Sequence, residues 1–187
     1  MLEEQRILQI RDAVGRQPWS EMSLEELARA AGLSRMTLHR RGVSRDDILA
    51  GLAQLLEREH ADAALPALAS PAAAPERLAM ILRAKCEVSE RYLGLMTAFE
   101  NDLQAIYHEP GEGEVLTRGP FVDAIRRILQ DGEREQTLAC HDDLDETATL
   151  LFNAAGWTYR EMRNGHRWPP EKARDQVVGL LVAGMRA

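Results

Sequence analysis

The chain has 187 residues, 45% hydrophobic and 28% charged, with a formal net charge of −7. That is enough for one domain, or a small module fused to a larger one, with a core that needs no disulfide or metal. The composition excludes disorder as the main state, and aromatics at 5% disfavour an all-β fold.

The longest apolar run, Val177–Met185, is about half of the ~18 residues a membrane span needs. The N-terminal MLEEQR carries acids where a signal peptide needs bases. Cys86 and Cys140 are too few for a disulfide framework. These features predict a cytoplasmic protein.

In chain order, Ile7, Ile10 and Val14 form a helical stripe within Glu3–Arg16, ended by Gln17-Pro18. Ser23-Leu-Glu-Glu26 is a capping box: the serine hydroxyl takes a free backbone N–H and Glu26 reaches back to the serine amide. The helix it opens runs through Leu24, Leu27, Ala28 and Ala31 and stops at Gly32. Ser34 caps a short helix containing Leu38, broken by Gly42. Ser44 caps a longer one, with Asp46 and Asp47 in its first turn and a stripe of Ile48, Leu49, Leu52, Leu55 and Leu56.

Ala64–Pro75, rich in Ala and Pro and poor in charge, reads as a connector. Helices follow over Pro75 to about Arg91 and Tyr92 to about Tyr107, then a loop at His108–Gly113. Gly119-Pro120 opens a helix to about Glu135. Asp142–Asn164 and Pro169–Met185 are the last two helices. With no trusted strand signal, the fold class is all-α, with about nine helices.

The last two helices are apolar nearly all round over Ala148–Trp157 and Val177–Met185. A helix apolar on every side must be covered on every side. A partner subunit is the natural second cover, giving a homodimer built from two helices of each chain. The seam candidates are Leu151, Ala155, Val178, Leu181 and Val182. Complete burial within one chain is the competing reading.

Charge is unevenly spread. Residues 1–60 carry nine Arg against ten acids, whereas residues 61–187 carry fourteen bases against twenty acids. Ser34–Arg45 holds four arginines (Arg35, Arg40, Arg41, Arg45) and no acid. A basic stripe on a neutral module beside an acidic body suits a DNA binder, although a solvated helix face gives the same pattern.

The segment LEELARAAGLSRMTLHRR, residues 24–41, has the spacing of a helix-turn-helix. Ala28 is small where the second helix crosses close. Gly32 permits the positive φ of a sharp turn. Leu24, Leu27, Leu33 and Leu38 are expected to form the shared core. The second helix then projects Arg35, Met36, Thr37, His39, Arg40 and Arg41 outward, as a recognition helix must to enter the major groove.

Ile7 to about Leu56, through Ser23-Leu-Glu-Glu-Leu-Ala-Arg-Ala-Ala-Gly-Leu-Ser-Arg-Met-Thr-Leu38 and Ser44-Arg45, resembles the DNA-binding domain of the TetR (tetracycline repressor) family of transcription regulators. The resemblance implies a three-helix head on a larger helical body that binds a small molecule and dimerises through its last two helices. Here that means a DNA-binding domain at 1–46 and a ligand-binding and dimerisation domain at 47–187.

The resemblance also implies roles for single residues. Ser23 and Arg45 fall on phosphate contacts, and Arg35, Met36 and Thr37 fall where base edges are read. His39 replaces a usual Tyr, and Arg41-Gly42-Val43 replaces a His-Phe-Pro-like run. Arg40, Arg41 and Ser34 are further phosphate candidates. The implied mechanism is a repressor reading a palindromic operator and released by an effector, with double-stranded DNA, the effector and a second copy as partners.

Tyr92, Met96, Phe99, Phe121, Phe152 and Trp157 are pocket candidates, each also readable as plain core. Cys86 reads as a redox sensor or a buried structural thiol. Cys140-His141-Asp142-Asp143 reads as a helix cap more simply than as a metal site. His60, His108 and His166 are isolated and expected to be exposed. Glu100 and Asp102 point to different sides of a helix, and no GxxxxGK[ST], GxGxxG or GxSxG occurs. No catalytic residue, metal or cofactor is therefore expected. The alternative is a helical small-molecule binder or enzyme whose head does not read DNA.

Overall fold

A computed structural model of the chain describes residues 2–15, 17–95, 118–139 and 143–187. Among them are eight α-helices: α1 (Glu4–Val14), α2 (Leu24–Ala30), α3 (Arg35–Arg40), α4 (Arg45–Ala69), α5 (Ala74–Arg91), α6 (Arg118–Glu135), α7 (Leu144–Asn164) and α8 (Pro170–Gly184). A 3-10 turn spans Trp19–Glu21, and the only pairing of strand type among the described residues is the isolated bridge Leu138–Arg186. The fold is all-helical, as the sequence predicts. None of the described helices is long and apolar enough to cross a membrane.

The chain divides into two units: Met1–Arg58 with Arg91–Leu116, and Glu59–Glu90 with Thr117–Ala187. In the first unit the predicted caps form. The Ser23 hydroxyl accepts the Glu26 N–H at 3.2 Å and the Glu26 carboxylate accepts the Ser23 N–H at 2.7 Å. Ser44 and Asp47 repeat the arrangement at the start of α4, at 3.1 and 2.8 Å. Ser34 caps α3 by accepting the Thr37 N–H at 3.1 Å.

The two helices of the helix-turn-helix end in the same way. At the end of α2, Gly32 has φ +65°, its N–H bonds to the Arg29 carbonyl, and the Leu33 N–H bonds to the Ala28 carbonyl. At the end of α3, Gly42 has φ +62°, its N–H bonds to the His39 carbonyl, and the Val43 N–H bonds to the Leu38 carbonyl. Each is a Schellman closure, in which a left-handed residue turns two N–H groups back onto orphan carbonyls. Gly42 and Val43 thus end the helix together, and Val43 is buried. Ile7, Ile10, Val14, Leu27, Ala28, Leu38, Ile48 and Leu52 are buried. Leu24 and Leu33, expected in this core, are half-buried.

The second unit corrects the connector placed at Ala64–Pro75. Helix α4 continues through Pro66 to Ala69, and only residues 70–73 break the helices. Alanine is the best helix former, and Ala64 and Ala67 are buried in the core of this unit. Arg77 donates to the Ala67 carbonyl at 3.1 Å, satisfying an acceptor at the helix end. Together these outweigh the single donor that proline removes. Asp143 caps α7, its carboxylate accepting the Asp145 and Glu146 N–H groups at 2.8 and 3.0 Å.

Of the five seam candidates, four turn inward within the chain. Leu151, Ala155, Val178 and Val182 are buried within the chain's own core, and Leu181 is half-buried against it. The large apolar residues that α7 and α8 turn outward are Leu150, Trp157 and Leu180. The all-round apolar pattern hid which face of each helix looks inward.

Candidate functional site

Helix α3 buries Leu38 and exposes Arg35, Met36, His39, Arg40 and the following Arg41. At 3.6 residues per turn, Arg35, His39, Met36 and Arg40 fall within an arc of about 140°, roughly opposite Leu38. Met36 is 74% exposed, so the structure holds an unbranched apolar side chain in water on the basic face. Ser34 and Thr37 sit at its edge, their hydroxyls 2.9 Å apart. The segment 34–45 carries four arginines and no acid, so the charged side chains it contributes to this face are cationic.

Arg45 is placed differently. Its guanidinium donates to the backbone carbonyls of Met22 and Trp19 and lies 4.3 Å from the centre of the Trp19 ring. Two of its donors are thus spent inside the protein, bracing the Trp19–Glu21 turn against the start of α4. The Ser23 hydroxyl is likewise engaged, donating to Glu26 at 2.7 Å. The hydrogen bonds from Ser23 hold the Glu26 carboxyl below its ordinary value, and those from Ser44 do the same for Asp47.

Of the pocket candidates, the structure brings Phe121 and Phe152 together, their ring centres 5.5 Å apart. Trp157 is 57% exposed, with the Arg160 guanidinium 5.1 Å from its ring centre, and does not join them. Tyr92 is buried in the first unit. Met96 and Phe99 lie outside the described residues, as do Glu100, Asp102, His108, Cys140, His141 and Asp142.

Two residues that the sequence reading missed meet the phenylalanines. His60, expected to be exposed, is 4% exposed, and Lys85 is 7% exposed. The Lys85 Nζ lies 3.0 Å from His60 Nε2 and 4.1 Å from the centre of the Phe152 ring. The His60 ring centre is 5.6 Å from that of Phe121. The signal was present in the stripes. His60 follows Leu52 and Leu56 at i+4 steps, and Lys85 follows Ile81 at i+4 and Leu82 at i+3. Burial pushes the Lys85 amine down to about 8 and the neighbouring Cys86 thiol up to about 12. Cys86 is therefore a protonated, buried thiol, ill suited to redox sensing.

A further cluster is structural. Arg163 of α7 holds Glu90 of α5 through two hydrogen bonds, at 2.7 and 2.8 Å, and Tyr159 donates to the same carboxylate at 2.7 Å. Burial alone would raise the Glu90 carboxyl; the Arg163 and Tyr159 hydrogen bonds outweigh it and hold the group below its ordinary value. Among the described residues no three His, Cys, Asp or Glu side chains gather as a metal site would require.

No protein-family model matches the sequence, and no curated protein matches it. Solved structures do. A transcriptional regulator from Cytophaga hutchinsonii superposes with a TM-score of 0.71 at 14% identity, covering 98% of both chains. A regulator of the TetR/AcrR family from Thermobifida fusca gives 0.68 at 20% identity, again over 98% of both chains. The ketosteroid transcriptional regulator KstR2 of Mycobacterium tuberculosis gives 0.68 at 15% identity, over 100% of this chain and 97% of its own. All three of these helical folds are described as transcriptional regulators, and such low identities speak for architecture alone. That architecture, shared over nearly the whole chain, is the fold of the TetR-family transcriptional regulators.

Proposed function

We propose that the chain is a TetR-type, DNA-binding transcription regulator: a homodimeric cytoplasmic repressor, released from a palindromic operator by a small-molecule ligand. Residues 1–46 serve as the DNA-binding domain and 47–187 as the ligand-binding and dimerisation domain. No catalytic role is assigned. The observation that carries this reading is the outer face of α3, where Arg35, Met36, His39 and Arg40 stand exposed in a segment, 34–45, that carries no acid.

Arg35 suits guanine, because its planar fork matches O6 and N7 in the major groove. Met36 and Thr37 offer apolar contact to a thymine methyl. Arg40, Arg41, His39, Ser34 and Ser23 position the head on phosphates. Arg45 acts from inside, by holding the turn before α2. Two heads related by a two-fold axis read two half-sites. Leu150, Trp157 and Leu180 supply the apolar face that a second copy covers. An effector releases DNA only if it prefers one arrangement of the heads, with a coupling of typically about 1–3 kcal/mol.

The test is fluorescence anisotropy with the DNA upstream of the protein's own gene and a scrambled control, followed by selection from random sequence. Specific binding that weakens steeply with salt is expected. Arg35→Ala should lose about 1–3 kcal/mol of discrimination at one base position, whereas Arg41→Ala should weaken all sequences alike and reduce the salt slope by about one. Failure to bind any DNA would favour a helical small-molecule binder whose head does not read DNA.

A further inference from the structure

In the second unit, helices α4, α5, α6 and α7 bring His60, Lys85, Phe121 and Phe152 to one place. Phe121 is fully buried and Phe152 nearly so. The site is fitted to its lysine: a Cβ added at Gly156 of α7 would lie 2.9 Å from Lys85 Cε and 3.4 Å from its Nζ. Any side chain at 156 would push the amine out of position.

Among the described residues no carboxylate lies within ion-pair distance of Lys85; its close polar neighbour is the His60 imidazole. An ammonium offers three N–H donors. One meets His60 Nε2, which accepts when the ring proton is on Nδ1, and another direction is filled by the Phe152 face. An interior charge without a counter-charge costs several kcal/mol. Burial pushes the amine down to about 8, the direction expected of an interior ammonium with no counter-charge beside it.

We propose that Lys85, with His60 beside it, is the anchor of a binding site for an organic monocarboxylate whose apolar body lies against Phe121 and Phe152. The chemistry selects the class. A single ammonium balances a single negative charge, whereas a dianionic phosphate would stay half-compensated among apolar walls. The carboxylate supplies the acceptor that the third N–H needs, and aromatic rings favour an apolar chain or ring behind it. This deepens the functional proposal above by naming the effector class, and it rests on that reading only for its regulatory meaning.

The chain has two lysines, Lys85 and Lys172, so side-chain 15N-lysine NMR of the whole protein reports two amine signals. Octanoate and phenylacetate are titrated in, each beside its uncharged amide. The Lys85 signal should shift and saturate with the acids alone, while Lys172, packed 4.4 Å from the Trp168 ring centre, stays put as the control. By calorimetry, Lys85→Met should weaken acid binding at least about tenfold and erase the preference over amide, a loss of ~1.4 kcal/mol or more. The proposal fails if neither acid moves Lys85, if the amides bind as well as the acids, or if Lys85→Met keeps the preference. Should Lys85→Met not fold, the wild-type titration decides alone. A carboxylate that saturates Lys85 yet leaves operator DNA bound would sink the release mechanism and leave this site standing.

Discussion

The helix caps of the first unit and the inter-helix pairs of the second hold their polar groups in opposite ways. In the first unit the helix caps are local: Ser23 with Glu26, Ser34 with Thr37, Ser44 with Asp47, each three residues apart. In the second unit the inter-helix pairs are distant: Lys85 to His60 across 25 residues, Arg77 to Asp131 across 54, Arg163 to Glu90 across 73. The head residues among these are exposed, whereas the body pairs are buried or partly buried. Local exposed bonds set geometry at small energy each. Buried distant bonds carry larger penalties when broken, because the surviving partner is left unsatisfied.

That contrast predicts a ranking. Phe121→Ala in the second unit should cost the most, about 3–5 kcal/mol, since its ring is fully buried among Phe152, His60 and aliphatic neighbours. Urea unfolding followed by circular dichroism measures it, and a loss below ~1 kcal/mol would show that the cluster is loosely filled. Glu90→Ala should follow at about 2–3 kcal/mol, below the figure for a fully buried pair because Glu90 and Arg163 keep some exposure. If Arg163→Ala proved much milder than Glu90→Ala, the carboxylate would be the true centre of that cluster through Tyr159.

Adding one methyl group sharpens the comparison. At Gly42 a Cβ meets nothing within 4 Å, yet φ is +62°, so Gly42→Ala should destabilise the head by about 1–2 kcal/mol through backbone strain alone. At Gly179, inside α8, the added Cβ also meets nothing within 4 Å and the backbone is helical. Gly179→Ala should therefore stabilise by about 1 kcal/mol. Equal effects of the two substitutions, in sign, would contradict the Schellman reading of the α3 end.

The smallest effect is a titration. Glu26 and Asp47 are held below their ordinary values by the cap bonds. A carboxyl with a depressed folded pKa stabilises above its unfolded value and loses that contribution as pH falls through the folded one. The thermal midpoint of the head should therefore drop as pH falls below about 4.5, the ordinary glutamate range. Ser23→Ala with Ser44→Ala should flatten that limb; an unchanged slope would remove the caps from the acid response.

How much was legible follows the same division. Ser23, Gly32, Ser34, Gly42 and Ser44 could be read directly, because a cap or a left-handed turn needs a particular residue within a few positions. The outward face of α3 was legible for the same reason: one buried leucine in a short helix orients the rest. His60 and Lys85 were legible only as interruptions of apolar stripes. The inward turn of Leu151 and Val178 was not legible, since a helix apolar all round has no face to read.

The amino-acid sequence by itself determined the all-helical class, the caps and turns of the helix-turn-helix, and the basic stripe from Arg35 to Arg45. Each depends on backbone geometry and side chains within about one helical turn. Only the tertiary structure decided that α4 runs through Pro66, that Arg45 braces Trp19, and that Lys85 meets His60 among phenylalanines. These depend on which faces meet, and that is set by the joint burial of helices far apart in the chain, a property of no single segment.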